Sequence, residues 1–319
     1  MREKLAQNTP CPSIKLPGLR KVMPAEKNLR IVTYNVGGGR DEFHTTATDI
    51  LTVIKNLQPD ILGLQECTAW LDANHKSFSF SQQIDHVLGF EPAGYLGKTI
   101  SLQENFHPRK KVMLDCLYKD WQDWIFGNAI CTRYAFTRLG DPETPGMPKN
   151  VTIFKPLVYE GNRDTDPRGA IISRVRVSDS APFIVSTHFT TLVGERGGRT
   201  APVPGKFEEA QTIRLQQAKK LLELLKPRLE ERQPIILMGD FNADPQEPCI
   251  RTVIEGEGGF VRLTPKSEIP THPKVSKPVD HIFVFPGDAV QDYTCWVDNS
   301  TAAQKASDHL PVAADIVFR

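Results

Sequence analysis

The sequence predicts a layered α/β fold, and three observations carry that prediction. Helix and strand patterns alternate near the start, as LRIVTYNV, then TTATDILTVIKNLQ, then PDILGLQEC. From Asn128 onward, short apolar runs follow one another at close spacing with turn residues between them, the pattern of an antiparallel sheet. A single long amphipathic pattern, roughly residues 206–226, precedes another fully apolar run.

In chain order, residues 1–28 read as a polar arm and residues 29–319 as one domain. LRIVTYNV leads into Gly37, Gly38 and Gly39; the GGGR run lacks the GxxxxGK[ST] spacing and reads as a tight turn. PDILGLQEC is a second strand, ending in Gln65 and Glu66. Residues 91–125 are less regular. The next strands are GNAICTRYAFTRL, VTIFKPLVY, GAIISRVRV and APFIVSTHF, followed by a Gly/Pro/Arg loop, TLVGERGGRTAPVPGK. On the helix, Phe207, Ala210, Ala218, Leu221, Leu222 and Leu225 share a face, and Pro227 is expected to stop it. In PIILMGDFNADP, four apolar residues between Pro234 and Gly239 predict a strand buried on both faces. PVDHIFVFP and PVAADIVF complete the set, so each half of the chain holds a strand–helix–strand section.

Composition narrows the function. The 319 residues carry 39 basic and 38 acidic side chains, so no global field announces nucleic acid, although a local basic groove fits inside a neutral total. The 25 prolines favour a loop-rich protein over a helical bundle. Six scattered cysteines, with no CxxC and no Cys/His pair at zinc spacing, read as ordinary buried thiols. With no signal-peptide core and no apolar run of membrane-spanning length, the expectation is a reduced, cytoplasmic monomer with no membrane span.

The strand ends carry the chemistry. Asn35 follows IVTY, Glu66 follows ILGLQ, His188 follows FIVST, and Asp240 and Asn242 follow IILMG; Asp280 and His281 follow KPV, and Asp308 and His309 precede LPVAADI. Taken alone, the knot of Asp240, Asn242 and Asp244 after IILMG reads as a strand ending in an Asx-type turn. The repetition of such polar strand ends points to a site, because ligand sites collect where buried strands emerge. Oxygen ligands of this kind suit Mg²⁺ or Mn²⁺ with a phosphate substrate, and the missing thiolate and His clusters argue against zinc.

TYNV, LQE, GNAI at Asn128, RGA at Arg168, STH, GDFNADP, VDHIF and SDHLPV resemble, in order, the motifs of the endonuclease/exonuclease/phosphatase superfamily, over residues 29–319. That superfamily includes deoxyribonuclease I, exonuclease III-type endonucleases, neutral sphingomyelinases, inositol-polyphosphate phosphatases and poly(A) deadenylases. The resemblance implies a four-layer α/β/β/α sandwich of two mainly antiparallel sheets, with Mg²⁺ (or Mn²⁺) as cofactor. It implies Glu66 as main metal ligand, helped by Asn35 and Asp308, and Asp240 aligning or deprotonating the attacking water. Asn242 and His188 would hold the phosphate, Asn128 and Arg168 would bind substrate, and His309, oriented by Asp280, would stabilise charge or protonate the leaving oxygen. A phosphate-ester substrate follows, nucleic acid or nucleotide ahead of sphingomyelin or inositol phosphate; a non-catalytic phosphate-binding module stands as the remote alternative.

The chain departs from the resemblance in two places. Val36-Gly37 stands where repair endonucleases carry Val-Asp, which weakens the repair reading, and VDHI replaces a DYI-like segment, leaving His281 as a half-buried strand residue. HPRKKVMLDCLYKDWQDW offers Arg109, Lys110, Lys111, Trp121 and Trp124 either to single-stranded nucleic acid or, as preferred, as core aromatics beside a solvated basic turn. The loop with Arg196 and Arg199 is either a substrate-selecting wall or a surface connector.

Overall fold

A computed structural model describes residues 28–37, 47–74, 77–79, 83–84, 87–88, 93–117, 120–140, 148–177, 180–197, 201–273 and 275–319. The arm up to residue 27, Gly38, Gly39, Arg199 and Cys11 lie outside the described residues. In chain order the strands are β1 (Asn28–Asn35), β2 (Ile61–Asp72), β3 (Ser77–Ser79), β4 (Ala93–Ser101), β5 (Trp121–Thr132), β6 (Lys149–Phe154) and β7 (Arg168–Arg174). They continue as β8 (Phe183–His188), β9 (Ile235–Asp240), β10 (Val261–Arg262), β11 (Asp280–Phe285), β12 (Val290–Val297) and β13 (Val312–Phe318). The helices are α1 (Ala47–Leu57), α2 (Pro108–Leu117), α3 (Lys206–Glu230) and α4 (Thr301–Ala306), with a π-helix at Cys249–Glu257.

One sheet runs β12-β13-β1-β2-β5-β4 with β3 hydrogen-bonded beside β2; the other runs β10-β11-β9-β8-β7-β6. Among the described residues each holds a single parallel pair, β1 with β2 and β8 with β9, and each pair is joined through a helix, α1 or α3. All other pairings are antiparallel. This is the expected sandwich with its loose internal duplication.

The period-2 alternation of the strands builds the layers. On β9, Ile235 and Leu237 face the cluster under α3 and the π-helix, beside Leu221, Leu225, Val253 and Ile254. Ile236 and Met238 face the other way, meeting Ile31 and Ile61 of the opposite sheet. On β1, Val32 and Tyr34 turn outward, packing with Ile50, Val53 and Ile54 of α1. Three apolar layers therefore separate four structural ones, α/β/β/α. Towards one end the inter-sheet layer turns polar: Thr33, Gln65 and Ser186 hydrogen-bond across it, and Asn35 and Asp240 follow in the same phase.

Several elements differ from the sequence reading. The irregular stretch 91–125 contains β4, α2 and the start of β5, which begins six residues before GNAI. Its alternation is hidden because Trp124 is buried in a small side cluster with Ile100 and Leu114 rather than in a main layer. The VTIFKPLVY run pairs only through Phe154. Pro227 does not stop α3: it lies in the last turn, where its missing N–H forfeits one bond, and Leu229 beyond it still packs on the core. The helix's buried face also includes Arg214 and Gln217, two polar residues passed over by the apolar pattern. His281 is fully buried, not half-buried, and its Nε2 lies 2.9 Å from the Ala243 carbonyl. The basic segment opens helix α2 rather than a turn; Arg109 and Lys111 are exposed as expected, but Lys110 is buried in a pair with Asp166, and Cys116 is an exposed thiol. Among the described residues no helix is long and apolar enough to cross a membrane.

Candidate active site

Strand register assembles the site. His188, Asp240 and Asp280 are direct lateral neighbours on β8, β9 and β11, so their side chains leave the same face at the same level. Close approach of β8 and β9 is possible only because Gly239 has no side chain: a Cβ there would stand 2.0 Å from the Thr187 carbonyl oxygen. Two adjacent buried carboxylates repel each other, and His309 relieves this. Its Nδ1 lies 2.9 Å from Asp280 Oδ2 and its Nε2 lies 3.6 Å from Asp240 Oδ2. The turn carrying His309 is tied to the end of β1 through Ser307, whose hydroxyl donates to the Asn35 carbonyl at 2.8 Å.

Charge follows from these contacts. Burial opposes an imidazolium at His309, but Asp280 and Asp240 outweigh it and hold its pKa well above the ordinary histidine value. Asp240 is pushed up, chiefly by burial and then by Asp280, with His309 and Asn35 pulling against the rise. His188 is driven to the neutral form by burial, then by the cations of Arg168 and His309. Its Nε2 sits 3.4 Å from Asp240 Oδ2 and 3.3 Å from Asn242 Nδ2. Asn242 adopts φ 49°, its backbone N–H donating to Asp240 Oδ1 at 2.8 Å in a tight Asx turn, and its Nδ2 donates to the Phe189 carbonyl at 3.1 Å.

Glu66 reaches the site by a different route. β2 does not end there. It continues to Asp72, with a register shift against β5 between Leu64 and Cys67 and a left-handed Glu66 at φ 56°. Such a bulge re-aims one side chain while the strand goes on. Gln65 stays in the inter-sheet layer, Cys67 returns to the outer core, and Glu66 turns into the cavity. Asn35 bridges the two sheets: its Nδ2 donates to Asp240 Oδ2 at 2.9 Å and to Glu66 Oε1 at 3.4 Å, while its Oδ1 accepts from Gly37 N–H.

A cavity of about 530 Å³ opens over these groups, lined by Glu66, His188, Asp240, Asn242, Asp308 and His309. Of the other residues expected at the site, Asn35 and Asp280 lie behind this lining. So do Asn128, whose Nδ2 donates to the Gly169 carbonyl across the sheets, and Arg168, whose Nη1 backs His188 at 3.1 Å. The loop after β8 is a cavity wall: Leu192, Glu195 and Arg196 line it. Three lining residues had no signal in the sequence. Arg163 and Val275 come from loops without a motif. His272 sits in SEIPTHPK, where its ring meets that of His309 edge to face, 4.7 Å between centroids, and its Nε2 lies 3.5 Å from Asp308.

A sequence profile of the Endonuclease/Exonuclease/phosphatase family matches residues 32–309. The chain is 24% identical over 247 residues to the probable RNA exonuclease NGL3 of Saccharomyces cerevisiae, which is 73% of this chain and 41% of that protein. It therefore spans less than half of the yeast protein's length. Among solved structures, an endonuclease/exonuclease/phosphatase protein from Beutenbergia cavernae superposes with a TM-score of 0.60 at 17% identity, covering 91% of this chain and 72% of that one. The human Nocturnin catalytic domain, solved with a sulfate anion, gives a TM-score of 0.56 at 17% identity over 92% and 95% of the two chains. The profile match over most of the chain, on this sandwich, shows that the chain belongs to the endonuclease/exonuclease/phosphatase family of hydrolases.

Proposed function

We propose that residues 29–319 form one catalytic domain, a divalent-metal-dependent phosphodiesterase with a nucleic-acid or nucleotide substrate. The observation that carries the reading is the seating of Asp240 between His188 and His309 on the floor of the cavity, 3.4 and 3.6 Å from their Nε2 atoms. A carboxylate raised toward neutrality suits a group that aligns and deprotonates water, because a base works best with a pKa near the working pH. His309, kept as an imidazolium by Asp280, supplies a proton to the leaving oxygen and positive charge to the phosphorane-like state. Asn242 Nδ2 and the neutral His188 hold a phosphoryl oxygen over Asp240.

The donors suit a hard cation. Glu66 and Asp308 both present carboxylates to the cavity, and Asn35 touches Glu66, an oxygen-rich set that matches Mg²⁺ or Mn²⁺. Two other groupings bring together His272, Asp308 and His309, or Asp240, Asp280 and His309. Both rely on His309, whose proton makes it a poor ligand, so Glu66 with Asn35 and Asp308 is the favoured holder. A metal bound there supplies Lewis-acid charge to the phosphate.

Hydrolysis of a labelled single-stranded RNA, a DNA duplex, sphingomyelin and an inositol polyphosphate in Mg²⁺ and in Mn²⁺ tests the substrate class. Release of nucleotides from RNA or DNA at the highest kcat/KM is the expected result. Preferential turnover of the lipid or the inositol phosphate would overturn the nucleic-acid part of the reading.

A further inference from the structure

Arg163 lines the catalytic cavity together with Glu66, His188, Asp240 and His309. It opens a short 3₁₀ turn, Arg163–Thr165, between β6 and β7. Every polar neighbour in that turn is committed elsewhere. Asn162 Oδ1 accepts from the Thr165 N–H at 3.0 Å and from its hydroxyl at 2.8 Å, and the Thr165 hydroxyl also accepts from the Glu160 N–H at 3.0 Å. Asp164 accepts from the Val193 N–H at 2.6 Å, pinning the turn to the loop after β8. Asp166 pairs with the buried Lys110 at 2.9 Å and accepts from the Tyr159 hydroxyl at 3.2 Å. The turn is thus held on three sides. Among the described residues the guanidinium it presents has no carboxylate partner.

Its charge bears on Arg168, a cation, and on the neutral His188. Burial is the main cause of the lowered proton affinity of His188 and of Arg168, and Arg163 adds to the lowering at both. A structural arginine would sit beside a carboxylate, as Arg214 does. This one faces a cavity whose other lining arginine, Arg196, is already bonded to Glu195, Glu247 and the Asn242 carbonyl. A free fork of N–H donors on a rigid turn is a phosphate receptor.

We infer that Arg163 is a specificity residue that holds a second phosphate, the one flanking the scissile group, so that the enzyme selects substrates carrying two neighbouring phosphates. The inference rests on the phosphodiesterase reading of the same cavity, and the test separates the two. Two probes differ only in the flanking group: thymidine 5′-(p-nitrophenyl phosphate) and its 3′-phosphorylated form. Their turnover in Mg²⁺ is compared for wild type, Arg163→Ala and Arg163→Lys. Binding of thymidine 5′-monophosphate and thymidine 3′,5′-bisphosphate is measured by calorimetry on the same proteins.

Wild type is expected to favour the doubly phosphorylated probe about tenfold or more, in KM rather than kcat, and the bisphosphate similarly in Kd, as one charge-assisted contact supplies. Arg163→Ala loses that preference and Arg163→Lys keeps part of it, with unchanged melting temperatures. A wild-type preference below twofold, or a full preference in Arg163→Ala, would overturn the inference while leaving hydrolysis established. A bisphosphate preference that vanishes in Arg163→Ala, with neither ester hydrolysed by wild type, would instead uphold Arg163 and overturn the hydrolase reading.

Discussion

Replacing Arg214 by Met should destabilise the protein more than any surface change, and its cost can be worked from the contacts. Arg214 is completely buried on α3. Its Nε and Nη2 donate to Glu247 Oε2 at 3.0 and 2.8 Å, and its Nη1 donates to Glu195 Oε1 at 2.8 Å and to the Thr190 carbonyl at 3.2 Å. Glu195 also accepts from the Leu192 N–H, and Glu247 accepts from the Asp244 N–H, so the loops after β8 and β9 both hang on this one cation. Met fills the space but leaves two carboxylates, each about 97% or more buried, with only Arg196 nearby. Removing one partner from a buried ion pair costs about 3–5 kcal/mol, a large share of the roughly 5–15 kcal/mol total of a folded chain. Urea unfolding at pH 7 measures it. Adding Glu195→Gln and Glu247→Gln should recover much of the loss, because the uncompensated charge is then gone. A loss below about 1 kcal/mol for Arg214→Met, or no recovery in the triple variant, would refute the reasoning.

Three further outcomes follow. Asp280→Asn removes the carboxylate that holds the His309 imidazolium and should lower kcat by about 10²–10⁴ with KM little changed, the usual worth of general acid catalysis; a kcat within threefold of wild type in a p-nitrophenyl ester assay contradicts the pairing. His281 is pushed down to about 4 by burial, against the hydrogen bond to Ala243 that raises it. The unfolded chain therefore binds the extra proton between pH 6.5 and 4, and stability falls as pH drops through that window, by about 3 kcal/mol at 1.36 kcal/mol per unit. His281→Gln should flatten that part of the urea-unfolding profile relative to wild type. Gly239→Ala sets a methyl 2.0 Å from the Thr187 carbonyl oxygen, so β8 and β9 must part, and a melting temperature unchanged within 2 °C would contradict the packing.

Where local pattern and tertiary role coincide, the sequence was a good guide. β8 and β9 each open with an apolar run buried on both faces, and their polar ends continue the inter-sheet phase into the site. STH, GDFN and VDH meet in space because register alone places Asp240 beside His188 and Asp280. What was hidden depends on long-range partners. Glu66 reads as a strand terminus because a bulge has no composition of its own; only pairing with β5 reveals that the strand resumes at Cys67. Arg214 and Gln217 fall on the buried face of α3, and nothing in an apolar count says that Glu195, Glu247 and Thr190 will meet them there. His272 owes its place to Thr271, whose hydroxyl accepts from the backbone N–H groups of Val279 and Asp280 and whose carbonyl accepts from the Leu310 N–H, contacts between segments far apart in the chain.

The central claim is that Asp240 activates water in a metal-dependent phosphodiester hydrolysis. Its most direct test is the initial rate of bis(p-nitrophenyl) phosphate hydrolysis by wild type and Asp240→Asn, with Mg²⁺ and after chelation. The account predicts turnover by wild type that disappears with chelation and returns with added Mg²⁺, and a loss of about 10³-fold or more in a folded Asp240→Asn. Turnover by Asp240→Asn within tenfold of wild type, or wild-type turnover indifferent to chelation, would contradict it.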